Sequence, residues 1–531
     1  MTTFDYIIVG AGSSGCVLAN RLTEDPGVTV LLLEAGGADS DPWISIPLGW
    51  GKLLETRKHD WMYNTEPEQN LNDRRIEVRR GKVLGGSSSI NAMVFVRGTA
   101  GDYDRWRDNG LVGWSYKALL PYFKKTESWL GAPDEWRGHQ GPIHVRTSKF
   151  EDPAIEAFLE AAGKKYPLLE DYNNDRIEGF GRNQFSIKNG RRCSAARAYL
   201  HPIAHRPNLV IKTDVQVNQI LLKNDKAVGV EYNSSGELIR DYVSSEVILS
   251  AGVIGSPHIL MLSGIGPTNQ LERAGIDMRL DSPQVGQNLQ DHLVVMAEHD
   301  RVKVSPMQSN LRFDRIIYSI LLAYLLGRGF ATDVPAPASG FIKTNPKLSL
   351  PDIQFILRTS SAKPHPWFPF IRRPFLDALG IWVVLLNPKS RGHLELRSHD
   401  PKIPLRIYQN FLSDESDRIS IRKGLQLAQE LFAVSPLAEF VGEETEPGLK
   451  ANDYSVLDDF ICRTAVTVSH PVGTCKMGIK DSDVVDPELR LRGIENLRVV
   501  DASVMPSLVG GNINATVIAI AEKAADIIRR H

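Results

Sequence analysis

The chain has 531 residues, with 62 lysines and arginines against 63 aspartates and glutamates, so its formal net charge is −1. That length predicts two or three domains, and 42% hydrophobic with 24% charged residues is ordinary for a folded protein. The charge balance excludes a general attraction to nucleic acid, and four cysteines with no CxxC or metal-ligand spacing give neither a disulfide framework nor a metal site.

Phe4-Asp5-Tyr6-Ile7-Ile8-Val9 is a short β-branched run that predicts a buried strand. Gly10-Ala11-Gly12-Ser13-Ser14-Gly15 follows at once, and Cys16 to Leu22 has a helical pattern. Such glycines allow a tight turn and close backbone approach, and the free N–H groups of the helix start suit a pyrophosphate. The next strand, Thr29 to Leu33, ends on Glu34, nineteen residues after Gly15. A carboxylate there can accept from both ribose hydroxyls of an adenosine. Strand, turn, helix, strand and acid in this order predict a dinucleotide site. With a strand beginning at Phe4 there is no secretory leader pattern, so a cytoplasmic protein is expected.

A second glycine-rich stretch runs from Gly81 to Asn91 through Val83, Gly86 and Ser87. Further strands are predicted at Leu209–Thr213, Gln216–Leu222 and Glu246–Ala251. The stretch 293–461 differs in character, with the proline- and aromatic-rich segment Lys363–Ile371 and strand candidates Ile381–Leu386 and His393–Arg397. Alternation in the latter predicts an antiparallel sheet with one covered face. Ile316 to Leu326 is an eleven-residue run, apolar apart from Ser319 and too short to cross a bilayer. It predicts a buried or half-buried helix of the second domain. Because Arg312, Arg315 and Arg328 flank it, an interfacial helix at 312–328, peripheral to an inner membrane, is the alternative. A last strand ends at Asp501, and a helix is predicted from Asn514 to about Arg529. The expected architecture is α/β plus α+β. A Rossmann-like cofactor domain is assembled from 1–150, 192–292 and 462–531, and an antiparallel-sheet substrate domain from 151–191 and 293–461.

The Gly81–Asn91 stretch, continuing through Arg97-Gly98 to Asp104, resembles the first signature of the glucose–methanol–choline (GMC) family of flavin-dependent alcohol oxidoreductases. Gly252 to Gly266 resembles the second, with Val253 where a smaller residue is usual. Val285 to His292, Ser469-His470-Pro471-Val472-Gly473-Thr474 and Gly511-Asn512-Ile513-Asn514-Ala515-Thr516 match further family segments. Within the family the chain is similar to choline-dehydrogenase-like and L-sorbose-dehydrogenase-like members.

The resemblance implies FAD as cofactor. Gly10, Gly12, Ser13, Ser14, Gly15 and Glu34 would hold its adenosine and pyrophosphate, with Val217 giving backbone contacts to adenine. Gly86 and Ser87 would run along the pyrophosphate and ribityl chain. Val83, Asn91, Ala92, Met93 and Val94 would approach the flavin. Asp501 and Ala502 would meet ribityl and pyrophosphate groups. Ile90 stands where some relatives carry a histidine bonded to the flavin, so non-covalent FAD is expected. An imidazole titrates near neutrality and can take a proton from an alcohol. By resemblance His470 is that base and Asn514 its partner on the substrate oxygen, with Asn512 a second candidate. Read by itself, Asn514 is equally a helix cap, and His292 is a junction residue near the cofactor. The expected reaction is oxidation of a hydroxymethyl-bearing alcohol, such as a sugar or polyol, by hydride transfer to flavin N5. The electron acceptor is a quinone, a dye or oxygen. The alternatives are an oxygen-using alcohol oxidase and an FAD-containing hydroxynitrile lyase without net redox.

Overall fold

The computed structural model describes residues 3–361, 363–448 and 454–530. Thr3–Val9 forms the expected first strand and lies in a seven-stranded sheet. Val30–Leu33 pairs with it in parallel, and Leu209–Lys212 pairs with Val30–Leu33 in turn. On the other side lies Glu237–Leu249, also parallel, which carries Leu497–Val499 beyond it. Gln216–Lys223 and Lys226–Ser234 complete the sheet as antiparallel strands. Ile7, Ile8 and Val30 to Leu33 are buried, as strands covered on both faces must be.

The parallel strands stop in one row. Val9 lies opposite Leu33 and Leu249, Leu33 opposite Lys212, and Leu249 opposite Val499. Gly10, Glu34, Ser250 and Asp501 therefore leave the sheet at a common edge, where ligands of such sheets bind. Helices Ser13–Leu22 and Asn514–Ile528 pack against each other beside this edge. Their pairing is fixed by Arg21, whose guanidinium donates 2.9 and 2.7 Å hydrogen bonds to the buried Glu522 carboxylate.

A second seven-stranded sheet is antiparallel throughout. Its order is Val441–Glu446, Leu293–Arg301, Ala378–Leu385, Ile353–Arg358, Ala338–Ile342, Gly179–Arg182, and Val466–Thr467 also pairs with Leu293–Arg301. Leu293, Val295, Ala297, Ile353, Phe355, Leu357, Ile381 and Val383 form one face, packed with the Glu415–Phe432 helix. The residues between them, Val294, Met296, Ile356, Arg358 and Trp382, line a cavity on the other side. The two-residue period of a strand thus decides which residues can meet a substrate.

Three elements take places that the sequence left open. His393–Glu395 does not enter the large sheet but pairs with Arg406–Tyr408 alone. Gly179–Arg182 joins the large sheet, whereas Gln184–Lys188 joins a separate one with Ile143–Thr147. Helix Phe313–Leu326 buries only Ile316, Ser319 and Ala323, and leaves most of its apolar side chains exposed. No helix among the described residues is long and apolar enough to cross a membrane.

Candidate active site

The two glycine-rich loops meet at the common sheet edge. Gly86 has φ +54°, and a Cβ there would lie 2.8 Å from Gly12 Cα, so a side chain would part the loops. Neither Ser13–Leu22 nor Asn514–Ile528 carries a side-chain cap at its start. Their first N–H groups and positive dipole ends are left for a ligand. Both starts border a cavity of about 1720 Å³. That is large enough for a dinucleotide together with a substrate.

Where the cavity meets the antiparallel sheet stands His470. Ser469 before it takes φ 64°, an uncommon conformation for a residue with a side chain, and its carbonyl accepts from the Arg80 guanidinium. The His470 N–H donates to Asp291 Oδ1 at 2.7 Å, and the His292 N–H donates to the same oxygen at 2.8 Å. Thr467 Oγ1 donates to Asp291 Oδ2 at 2.6 Å. Burial pushes the Asp291 carboxyl up to about 6, against the pull of Thr467 and Arg80.

The hydrogen positions on the two imidazoles follow from their partners. His292 Nε2 lies 3.0 Å from the Leu386 carbonyl, which only accepts, so Nε2 carries the hydrogen. Burial pulls the His292 pKa down to about 4, so the ring is neutral near pH 7 and its Nδ1 bears a lone pair. His470 Nδ1 lies 3.0 Å from that Nδ1 and must therefore donate. The free lone pair of His470 is then on Nε2, 3.1 Å from Asn512 Nδ2, which donates to it. Burial first, then His292 and Arg80, hold the His470 pKa well below its usual value. A neutral imidazole thus presents its basic nitrogen next to an amide donor.

The structure does not form the expected His470–Asn514 pair. Asn514 Oδ1 accepts from Ser13 Oγ at 2.7 Å, which ties the two helix starts together. Asn514 is the first residue of its helix and turns toward the dinucleotide loop. Asn512, two residues earlier and outside the helix, reaches His470.

The GMC oxidoreductase family models match residues 4–294 and 388–521. The chain belongs to the GMC oxidoreductase family. It is 42% identical to mitochondrial choline dehydrogenase of Mus musculus, over 99% of this chain and 90% of that protein. It is 32% identical to pyridoxine 4-oxidase of Mesorbium loti, with a TM-score of 0.89 and complete coverage of both chains. A formate oxidase of Aspergillus oryzae studied for its FAD modification aligns with a TM-score of 0.91 at 28% identity, covering 100% of this chain and 98% of that one. This GMC oxidoreductase is an FAD-dependent enzyme acting on CH–OH donors.

The site fits FAD on its own residues. Ser14 Oγ, on the first loop, is buried without a hydrogen-bond partner among the described residues, an orphan that a phosphate oxygen satisfies. A Cβ built on Gly12 would meet nothing closer than Ser250 O at 3.9 Å, so the backbone there is open to a close-lying group. Glu34 Oε2 accepts from the Ala11 N–H and Oε1 from the Gly36 N–H, both at 2.9 Å. Each oxygen keeps a second lone pair for a ribose hydroxyl. Burial pushes the Glu34 carboxyl up to about 7, with the Gly36 and Ala11 N–H groups opposing.

Gly10, Gly12, Ser13, Ser14, Glu34, Gly86, Ser87, Asn91, Ala92, Met93, Val94, Val217, Asp501, Ala502 and Asn512 all line the cavity, as do His470 and Asn514. Gly15 and Val83 do not. A Cβ on Gly15 would strike Gly10 O at 1.9 Å, so this glycine serves the packing of helix on strand. Val83 bridges Gly37 through its backbone, which turns its side chain into a buried cluster with Ile44, Leu53 and Ile90. Asp501 is engaged internally, accepting from the Gly252 N–H at 2.9 Å, Ser256 Oγ at 2.5 Å and the Ser503 N–H at 2.8 Å.

Sequence reasoning missed Asp291, Arg80 and Arg192, and undervalued His292. Arg192 donates from Nη1 to Asn91 Oδ1 at 2.8 Å and to the Asn91 carbonyl at 2.6 Å, holding that loop from beneath. Asp291 and His292 end a family segment, which was the one available signal.

Glu34→Ala should weaken FAD binding by roughly 1.5–3 kcal/mol, the value of hydrogen bonds to a charged group. Titration of apoprotein with FAD checks this, and unchanged affinity would remove Glu34 from the ribose site.

Proposed function

We propose that this enzyme oxidises a primary or secondary alcohol with a mostly apolar body to the aldehyde or ketone, with His470 as the base. The unprotonated Nε2 of His470, its tautomer fixed by His292 and its lone pair accepting from Asn512, carries this reading. A substrate hydroxyl that replaces this contact donates its hydrogen to His470 Nε2 and accepts from Asn512 Nδ2. As the proton moves to Nε2, Asn512 holds the oxygen as negative charge develops on it, and a neutral amide does so without competing for the proton. Bound FAD supplies the two-electron hydride acceptor for the carbinol carbon. His470 Nδ1–H keeps its bond to His292 throughout, so the ring neither turns nor changes tautomer. Asn514, through Ser13, positions the helix start at the cofactor end.

The substrate reading rests on the sheet's cavity face. Val294, Met296, Ile356 and Trp382, with Met93 and Val468, give it apolar walls, which favour an apolar body over a sugar or polyol. The Arg358 guanidinium lies over the Trp382 ring, 5.0 Å from its centroid. It occupies the aromatic face that a trimethylammonium group would need, so choline is disfavoured. FAD is held without a bond at Ile90, which has no nucleophilic atom.

Denaturation should release all the FAD into solution; flavin retained by the precipitated chain would show a covalent link. His470→Ala should keep FAD but slow anaerobic flavin reduction by alcohol at least about 100-fold, within the usual range for a positioned base. Asn512→Ala should slow it too, whereas Asn514→Ala should chiefly weaken FAD binding. Because the His470 pKa is depressed, the ring stays neutral as pH falls to 6.5, and wild-type reduction should decline only below that. Stopped-flow reduction across pH tests these outcomes together. Wild-type rates in His470→Ala would exclude it as the base, and a flavin that no alcohol bleaches would favour a lyase. In steady-state assays with and without oxygen, aliphatic and aryl alcohols should exceed choline and polyols in kcat/KM by at least about tenfold. The reverse order would overturn the substrate class and leave the role of His470 standing.

A further inference from the structure

Half of the large apolar side chains exposed on this protein lie in two short segments. Of 26 such residues among those described, 13 fall in 302–328 and 363–376. Helix Phe313–Leu326 turns Ile316, Ser319 and Ala323 inward. At 100° per residue, Phe313, Ile317, Leu321, Tyr324 and Leu325 then occupy much of its outer surface, and all are exposed. A water-facing helix carries polar residues there.

The loop 363–376 is fastened beside the start of this helix. The Phe313 N–H donates to the Trp367 carbonyl at 2.8 Å, and the Trp367 N–H to the Leu311 carbonyl at 3.1 Å. Phe368 and Arg372 then exchange two backbone hydrogen bonds, 3.1 and 3.0 Å, closing a tight turn that projects Phe370 and Ile371. Phe370 is fully exposed, and Ile371 and Leu376 are 83% and 87% exposed. Exposed apolar surface of this extent marks an interaction site.

The charges say what covers it. Lys303, Arg312, Arg315, Arg328, Lys363, Arg372 and Arg373 lie in these segments against a single acid, Asp314, on a chain whose net charge is −1. Asp314 is already paired with Arg312. Cations around an apolar face complement anionic lipid headgroups, whereas apposing two copies of the patch would bring like charges together. The cavity continues to the same place. Leu311, Ile316 and Ile320 from beneath the helix, and Lys363, Pro364 and Arg372 from the loop, line the space that also holds His470.

We propose that helix Phe313–Leu326 and loop 363–376 seat this enzyme on an anionic lipid bilayer, with the active-site cavity opening at that surface. The apolar side chains enter the headgroup boundary and the arginines meet lipid phosphates. An alcohol dissolved in the bilayer then reaches the cavity without crossing water; this entry route rests on the alcohol-oxidising reading, while the docking does not.

The test is co-sedimentation of the holoenzyme with vesicles of phosphatidylcholine alone or of equal phosphatidylglycerol and phosphatidylcholine. Binding should be strong on the mixed vesicles, weak on the neutral ones, and reduced by salt. Phe370→Asp with Leu325→Glu, and separately Arg315→Glu with Arg373→Glu, should each cut the bound fraction at least tenfold. FAD content, melting temperature and turnover of a short water-soluble alcohol should stay unchanged in both variants. No binding to mixed vesicles, or binding that survives both pairs of substitutions, would overturn the proposal. A dimer in sedimentation velocity that the same substitutions dissolve would assign the face to a second copy and overturn it as well. Binding is read without turnover, so a failed substrate assignment and a failed docking surface give different results.

Discussion

The Asp291 carboxylate holds the site together. It accepts from the N–H groups of His292 and His470, from Thr467 Oγ1, and from Gln409 Nε2 at 3.2 Å. One buried anion thereby joins the start of strand Leu293–Arg301 to the loop that carries the base. Val466–Thr467 pairs with Leu293 and Val294 directly beyond it, so the same contact sets the register there. A slip of one residue would turn Val294 and Met296 away from the cavity and into the core. Arg80, placed near enough to oppose the rise in the Asp291 pKa, also anchors the Ser469 carbonyl, so the anion and its nearest cation grip the same loop.

The pair of histidines works because both are buried and neutral. Two imidazoles meeting through Nδ1 atoms 3.0 Å apart need one hydrogen between them, and the Leu386 carbonyl removes the choice of which ring provides it. Opposed lone pairs, or opposed hydrogens, would be costly between two buried rings. Burial therefore does two things: it keeps His470 unprotonated at neutral pH, and it locks the tautomer with the lone pair toward the cavity. The cavity around that lone pair has two unlike ends. The end at the parallel sheet is built of glycine loops and uncapped helix starts, which suit phosphates. The end at the antiparallel sheet is built of alternate strand residues and is mostly apolar, with Gln354 and Arg358 its polar members.

The sequence by itself determined the parts whose chemistry is local. Strand, glycine turn, helix and Glu34 lie within one short stretch, and hydrophobic periodicity with glycine punctuation is enough to predict them. The same holds for the assembly of one sheet from three separated segments, since each strand carries its own apolar run and ends on a residue suited to the ligand edge. Only the tertiary structure decided which side chains meet across long separations. His292 and His470 are 178 residues apart in the chain, and nothing in either neighbourhood encodes their contact. The choice between Asn512 and Asn514 depended on where the last helix begins, because two residues of backbone separate the one facing His470 from the one facing Ser13. Val83 and Gly15 sit in the right motifs yet face the core, since a motif specifies the path of the backbone and packing specifies the direction of each side chain. The outward face of Phe313–Leu326 was hidden for the same reason: an apolar run shows that a helix needs cover, and only the folded chain shows how little of it the protein provides.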